Sequence, residues 1–293
     1  MRHVLRVLLG LCFAVAVAPP SRAAELPSRW DELTASDWEK ALDKSAHTCI
    51  LPIGILEKHG PHAPIGADLI KVREWSARAV KREYAVVFPD FFYGQIYEAR
   101  HQPGTFALPS RVVWDLLDAT VDEIGRNGFT KIVIVNGHGG NPYLLQYFAQ
   151  AQLERRRDYV LYYFNPTDEP AFAETVAKVR KSDAAGDLHA GERETSILMY
   201  MRPDLVQKDR ATDESGVRLP RWSIPNVTTP IWWYGGFPNH YAGRGETATR
   251  ELGELLTEKH VATLAEALRA IKADDTALAL QKEYFDRVDE LGH

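Results

Sequence analysis

Three short segments hold most of the residues that could do chemistry. The first is Glu57-Lys58-His59-Gly60-Pro61-His62, followed by Asp68. The second is Asn136-Gly137-His138-Gly139-Gly140-Asn141, a lone imidazole among glycines. The third is Asp187-Leu188-His189-Ala190-Gly191-Glu192-Arg193-Glu194. Together they offer imidazoles and carboxylates without a thiol. That donor set suits a divalent cation such as zinc, manganese or iron. In an extended stretch, side chains two apart share a face, so Glu57 and His59 can reach one ion or two adjacent ones. Gly60, Pro61, Pro64 and Gly66 turn the chain, so Asp68 can return to the same point. A carboxylate shared by two ions roughly 3.5–4 Å apart is a recurrent hydrolytic arrangement. Each segment alone would also serve as a solvated string or a capped turn; three segments sharing one ligand chemistry point to a metal site.

The elements around these segments place them consistently. Thr48–Gly54, Ala85–Phe88, Lys131–Val135 and Tyr159–Phe164 read as strands, rich in Val, Ile and aromatic residues. Leu69–Tyr84, Val112–Asn127, Pro142–Arg157, Glu192–Met201 and Thr247–Ala273 carry helical spacing, the last readable as one helix or as two pieces. Asn141 reads as an N-cap with Pro142 in the first turn. Strands alternating with helices predict an α/β fold with a mostly parallel sheet. Ligands in such sheets bind beyond the carboxyl ends of the strands, where the first two segments lie. Gly137, Gly139 and Gly140 are expected to let the backbone turn sharply and approach closely beside His138. The region from 204 to 244 has no period and reads as irregular. Its Trp232-Trp233-Tyr234 run reads as core or interface packing, with a pocket wall as the other option.

Bulk properties narrow the function class. The chain has 293 residues, 45% hydrophobic and 26% charged, with a net charge of −5, which gives no electrostatic case for nucleic acid. Residues 1–23 read as a secretory signal peptide. They have a basic start, an apolar run from Val7 to Ala18, Pro19-Pro20, and small residues before a cleavage point after Ala23. The expected mature chain, 24–293, is a single domain. Its 35 basic residues less Arg2, Arg6 and Arg22 leave 32 against 40 acidic ones, about −8. The reading predicts export to the periplasm and no membrane contact after cleavage. Cys12 leaves with the signal, so Cys49 is the one remaining thiol and reads as buried and inert.

The ordered set of motifs is more specific than any one of them. Glu57-Lys58-His59-Gly60-Pro61-His62-Ala63-Pro64 with Asp68, Pro103-Gly104-Thr105, Asn136 to Asn141, and His189-Ala190-Gly191-Glu192 with Glu194-Thr195 resembles the creatininase (creatinine amidohydrolase) family. The resemblance runs from Leu51 to Met201, with a weaker match over Gly243–Gly253. It implies a three-layer α/β/α fold around a dinuclear metal centre that hydrolyses amide-type C–N bonds: cyclic amides, formamides or, in one branch, a peptide bond. Carried over by position, it makes Glu57, His59, Asp68 and His138 metal ligands, with Asp68 bridging. It makes His189 catalytic. It also implies a further ligand or catalytic carboxylate at Glu194, with Glu192 near enough to exchange roles. The resulting expectation is metal: Glu57, His59, Asp68, His138 and Glu194; catalytic: His189 and Glu192.

The resemblance further implies a small amide substrate, two divalent ions per subunit, and a homo-oligomer, with hexamers among the family's forms. Gly139 and Gly140 stand where the namesake branch has an aromatic residue and a glutamate, which counts against creatinine as substrate. Near the Pro-Gly-Thr step, Ala99 takes the approximate place of a family histidine, and His101 is offset by two. These departures leave a second class of function open, a periplasmic small-molecule-binding protein of the same fold without turnover.

Overall fold

The computed structural model describes residues 25–291, so the signal segment lies outside the described residues. Four parallel strands form the sheet: β1 (Thr48–Ile53), β2 (Val86–Val87), β3 (Lys131–Asn136) and β4 (Val160–Phe164), in the order β2-β1-β3-β4. The helices are α1 (Trp38–Lys44), α2 (Ala67–Arg82), α3 (Ser110–Arg126), α4 (Pro142–Ala151) and α5 (Pro170–Val179), then α6 (Glu192–Met201), α7 (Trp232–Gly236), α8 (Arg250–Lys272) and α9 (Thr276–Leu291). Parallel strands need cover on both faces, and the near-continuous apolar runs of β1 and β3 supply two buried surfaces.

Strand alternation sorts the core into two layers. Ile50, Val133 and Val135 face one way, against Val72, Trp75 and Ala79 of α2, Ile197 of α6, and Leu252, Leu256 and Leu264 of α8. Cys49, Leu51, Ile53, Ile132 and Ile134 face the other way, against Leu117, Val121 and Ile124 of α3 and Leu145 and Phe148 of α4. The result is the expected three-layer α/β/α arrangement. Cys49 is fully buried, and burial pushes its thiol far above the ordinary range, so it stays protonated.

The strands fall close to their expected bounds. Three helical details differ. Thr247–Ala273 forms one helix, Arg250–Lys272, whose N-cap Thr249 side chain accepts from Leu252 N. The helix after Pro142 ends at Ala151 and tightens into a 3-10 turn, Gln152–Glu154. Asn141 occupies the N-cap position without capping: its Oδ1 accepts from Gln95 N at 3.0 Å and its amide donates to Asn136 Oδ1 at 3.1 Å. The side chain ties a neighbouring loop to the strand end. Helices α1, α5 and α9 were not expected, nor was the short α7 inside the stretch 204–244 that reads as irregular. Phe285 of α9 is buried, and Gln281 donates to Arg157 O and Tyr159 O beside the edge strand β4. Among the described residues, no helix is long and apolar enough to cross a membrane.

The tightest helix contact is between α6 and α8. A Cβ at Gly253 would stand 1.8 Å from Ser196 O. Only hydrogen fits there, so the glycine sets how closely α8 presses on the helix that carries Glu194. Gly253→Ala is expected to destabilise the protein by about 1–3 kcal/mol through overpacking. The corresponding fall in thermal midpoint is about 3–10 °C, read by circular dichroism. An unchanged midpoint would contradict this packing.

Candidate metal centre

The centre is assembled at the carboxyl ends of the two middle strands. β1 runs out at Ile53 into the loop carrying Glu57 and His59, which folds back through Glu57 N to Ile65 O and Ala63 N to His59 O. Gly60 takes a left-handed φ of 58° in that turn. Asp68 follows in the first turn of α2, where the helix N-terminus favours a negative charge. β3 ends at Asn136 and delivers His138. Gly137 is required by proximity: a Cβ there would lie 2.4 Å from Asp68 O. Gly140 is equally constrained, its Cβ position being 2.5 Å from His138 Nε2. The expectation for Gly139 is not met, because it faces open space. None of Gly137, Gly139 and Gly140 adopts a left-handed φ, so close approach, not an unusual turn, demands glycine at two of the three.

Two potential cation sites share one residue. Glu57, Asp68 and His138 converge in one, and His59, Asp68 and Glu194 in the other, with ligand atoms within 4.8 Å of one another. A third grouping joins Glu57, His59 and His189. His138 Nδ1 lies 2.9 Å from Glu57 Oε1 and 3.0 Å from Asp68 Oδ2. His59 Nε2 lies 3.4 Å from Asp68 Oδ1 and 3.8 Å from Glu194 Oε2. All five side chains are buried except Glu194, which is partly exposed.

Outer hydrogen bonds fix which imidazole nitrogen faces inward. His59 Nδ1 bonds Glu57 O at 3.2 Å, His138 Nε2 bonds Gln95 O at 2.8 Å, and His189 Nε2 bonds Lys58 O at 2.8 Å. A carbonyl can only accept, so each outer nitrogen carries the proton. In the neutral ring this leaves a lone pair at His59 Nε2, His138 Nδ1 and His189 Nδ1, aimed at carboxylates. That is the orientation metal-binding histidines adopt. Glu57 Oε1, His59 Nε2 and Asp68 Oδ1 are buried without an aligned hydrogen-bond partner, although Lys71 Nζ sits 2.8 Å from Asp68 Oδ1. Orphaned oxygens facing bare imidazole nitrogens need a cation, so the donor set fits divalent metal ions.

The same imbalance shows in the protonation of these side chains. Burial disfavours the His59 cation, but Asp68, Glu57 and Glu194 outweigh it and raise His59 to about 9. His138 is likewise raised well above its usual range, against burial, by Glu57 and Asp68. Burial would raise Glu194, yet Lys71, His59 and His189 bring it down to about 2. His189 goes the other way: burial dominates and lowers it to about 4.

The structure separates the two glutamates that the sequence left interchangeable. Glu194 joins the cluster, and its Oε2 also accepts from Ala190 N at 2.8 Å. The Glu192 carboxylate points away and accepts from the main-chain amides of Lys181 and Ser182. Residues two positions apart on a helix are about 200° apart around its axis, so only one of Glu192 and Glu194 can face the centre. Glu192 therefore anchors the chain before α6 and does not stand in the catalytic position assigned to it. His62 is also outside the cluster; it bonds Thr195 Oγ1 at 2.8 Å and so holds the start of α6. His101 bonds Pro238 O on a cleft wall and does not enter any ligand grouping.

One residue of the site was not anticipated. His240 Nε2 lies 2.6 Å from Glu57 Oε2, and the Trp233 indole donates to His240 Nδ1 at 2.8 Å. Indole is donor only, so His240 must carry its proton on Nε2 and donate it to Glu57. Its inward nitrogen is thus a donor, which separates it from the three histidines that present lone pairs. It holds one Glu57 oxygen and leaves Oε1 for a cation. Trp233 also lines a cleft of about 930 Å³ with Trp232, Tyr234, Gly139, Gly140 and Gln95, so the Trp-Trp-Tyr run forms a pocket wall.

Comparison with known proteins agrees with this geometry. The family model for creatininase (creatinine amidohydrolase) matches residues 31–268. The chain belongs to the creatininase family. As a creatininase-family protein it is a hydrolase of the amidohydrolase type with candidate metal-binding clusters. It is 28% identical over 255 residues to the creatinine amidohydrolase of Pseudomonas putida, covering 81% of this chain and 95% of that one. A mycofactocin precursor peptide peptidase from Mycolicibacterium smegmatis is 30% identical over 170 residues, 55% of this chain and 60% of that protein. A solved Mn creatininase superposes with a TM-score of 0.70 at 23% identity, covering 84% of this chain and 99% of that one, which establishes the shared fold.

His240→Ala should weaken divalent-ion binding by about 10–100-fold by freeing Glu57 to rotate. Calorimetric titration of the metal-stripped variant with Mn²⁺ measures this. An affinity equal to that of the parent would show that His240 does not position the ligand.

Proposed function

We propose that this creatininase-family protein is an exported hydrolase that cleaves an amide-type C–N bond at a centre of two divalent ions. Glu57, Asp68 and His138 would hold one ion and His59, Asp68 and Glu194 the other. The observation that carries the reading is the pair of candidate ligand clusters, buried apart from Glu194, that share Asp68. Zinc, manganese or iron suits the donors. When bound, such ions activate water and polarise a substrate carbonyl.

The chain's own groups supply the rest. The bare lone pair of His189 Nδ1, 3.7 Å from Glu194 Oε2, can take a proton and return it to the leaving nitrogen. Its outer bond to Lys58 O keeps the ring in that tautomer. The main-chain hydrogen bonds between His189 and Ala242 fix the loop that carries it. The aromatic wall and the open space at Gly139 favour an amide bearing a planar or apolar group: a cyclic amide, a formamide or a small peptide-like amide. Export is supported by the basic start, apolar run and small-residue step of residues 1–23, with the periplasm as destination. Assembly into a homo-oligomer is part of the same reading, supported by exposed Tyr143 and Tyr147 on α4.

Chelation should abolish hydrolysis across a panel of cyclic, formyl and peptide-like amides, and Mn²⁺ or Zn²⁺ should restore it. Glu194→Gln should lower kcat by about 100-fold or more. Glu192→Gln should keep most of the activity but lower the thermal midpoint, because it weakens the acceptor for Lys181 and Ser182. Full activity after chelation, or loss of activity in Glu192→Gln alone, would refute the assignment. Tight binding of a panel amide by loaded protein without product would instead favour a binding protein.

A further inference from the structure

Lys71 is a buried lysine that no step of the proposed reaction uses. It lies one turn after Asp68 on α2 and is 3% exposed. Its Nζ is 2.8 Å from Asp68 Oδ1 and also pairs with Glu194 Oε1. Both partners belong to the His59–Asp68–Glu194 triad; neither Glu57 nor His138 is paired with Lys71. Asp68 is common to both sites, but Lys71 pairs with Oδ1, the oxygen on the His59 side, while Oδ2 faces His138, so the ammonium supplies its positive charge mainly to the His59–Asp68–Glu194 site. A dication placed there must share the same two carboxylates with it, and like charges at this range repel strongly away from bulk water. The side chain also has somewhere to go. A cavity of about 210 Å³ adjoins the triad and is lined by Lys71, Trp75, Asp187, Arg193, Glu194 and His260.

We propose that Lys71 is a resident counter-cation for the second site. It holds Asp68 and Glu194 together when the triad carries no ion, and it yields toward the adjoining cavity when one binds. The two sites consequently fill with unequal affinity, Glu57–Asp68–His138 first and His59–Asp68–Glu194 second. This rests on the reading of the cluster as a metal centre.

The test is calorimetric titration of metal-stripped protein with Mn²⁺ alone. The parent chain should show two steps separated by at least about tenfold in affinity. Lys71→Met, which keeps an unbranched stem one atom shorter and removes the charge, should tighten the weaker step by about tenfold or more and change the tighter step much less. His59→Ala should remove the weaker step only. Without metal, Lys71→Met should melt below the parent, because the buried Asp68 and the partly buried Glu194 lose their partner; with Mn²⁺ bound, the gap should close. Two equal steps in the parent chain overturn the inference whether or not the variant folds. A weaker step unmoved by Lys71→Met overturns it as well. Absence of any Mn²⁺ binding removes the metal-centre reading itself and the inference with it.

Discussion

Three carboxylates packed into one largely buried space need positive charge beside them to stay ionised, and much of the local structure answers that constraint. Glu57, Asp68 and Glu194 meet where β1, β3, α2 and α6 converge. Around them, His59, His138 and His189 each spend their outer N–H on a main-chain carbonyl and turn a lone pair inward. The backbone is shaped to permit it. Gly137 lets β3 end against the first turn of α2, and Gly253 lets α8 press α6 into place. The main-chain bonds between His189 and Ala242 bring a distant loop, and His240 with it, to the same point. Apart from metal ions, protonated imidazoles and Lys71 are what balance the cluster.

The site is also graded in charge. His240 offers a proton to Glu57 and ties it to Trp233 on the cleft wall. Lys71 offers a positive charge to Asp68 and Glu194 instead. The two potential cation positions share Asp68 but have different neighbours, and this asymmetry belongs to the chain itself. It also couples the cleft to the centre, since Trp233 touches both.

Much of this was legible in the sequence. The strand-end positions of Glu57, His59 and His138 followed from apolar runs that stop at Gly- and Pro-rich loops. The return of Asp68 followed from the turn residues between them. The choice between Glu192 and Glu194 did not follow, because spacing says that they face apart but not which face meets the sheet. His240 was hidden because residues 204–244 have no period, and a lone histidine there resembles any other. Nothing in the helical spacing singles out Lys71; only the fold shows it turned toward Asp68. Asn141 reads as a cap by type and place, yet a tertiary bond to Gln95 outcompetes the local one. Helices α5 and α9 lie on the outside of the layers, where packing, not local pattern, decides their existence.

The central claim is that Asp68 is shared by two cation sites. Anomalous diffraction from crystals of the metal-loaded protein, recorded at the absorption edge of the bound metal, tests it most directly. Two peaks are expected, one among Glu57, Asp68 and His138 and one among His59, Asp68 and Glu194, with an Asp68 oxygen reaching each. A peak at Glu192, a single peak that Asp68 does not touch, or no peak among these residues would contradict the account.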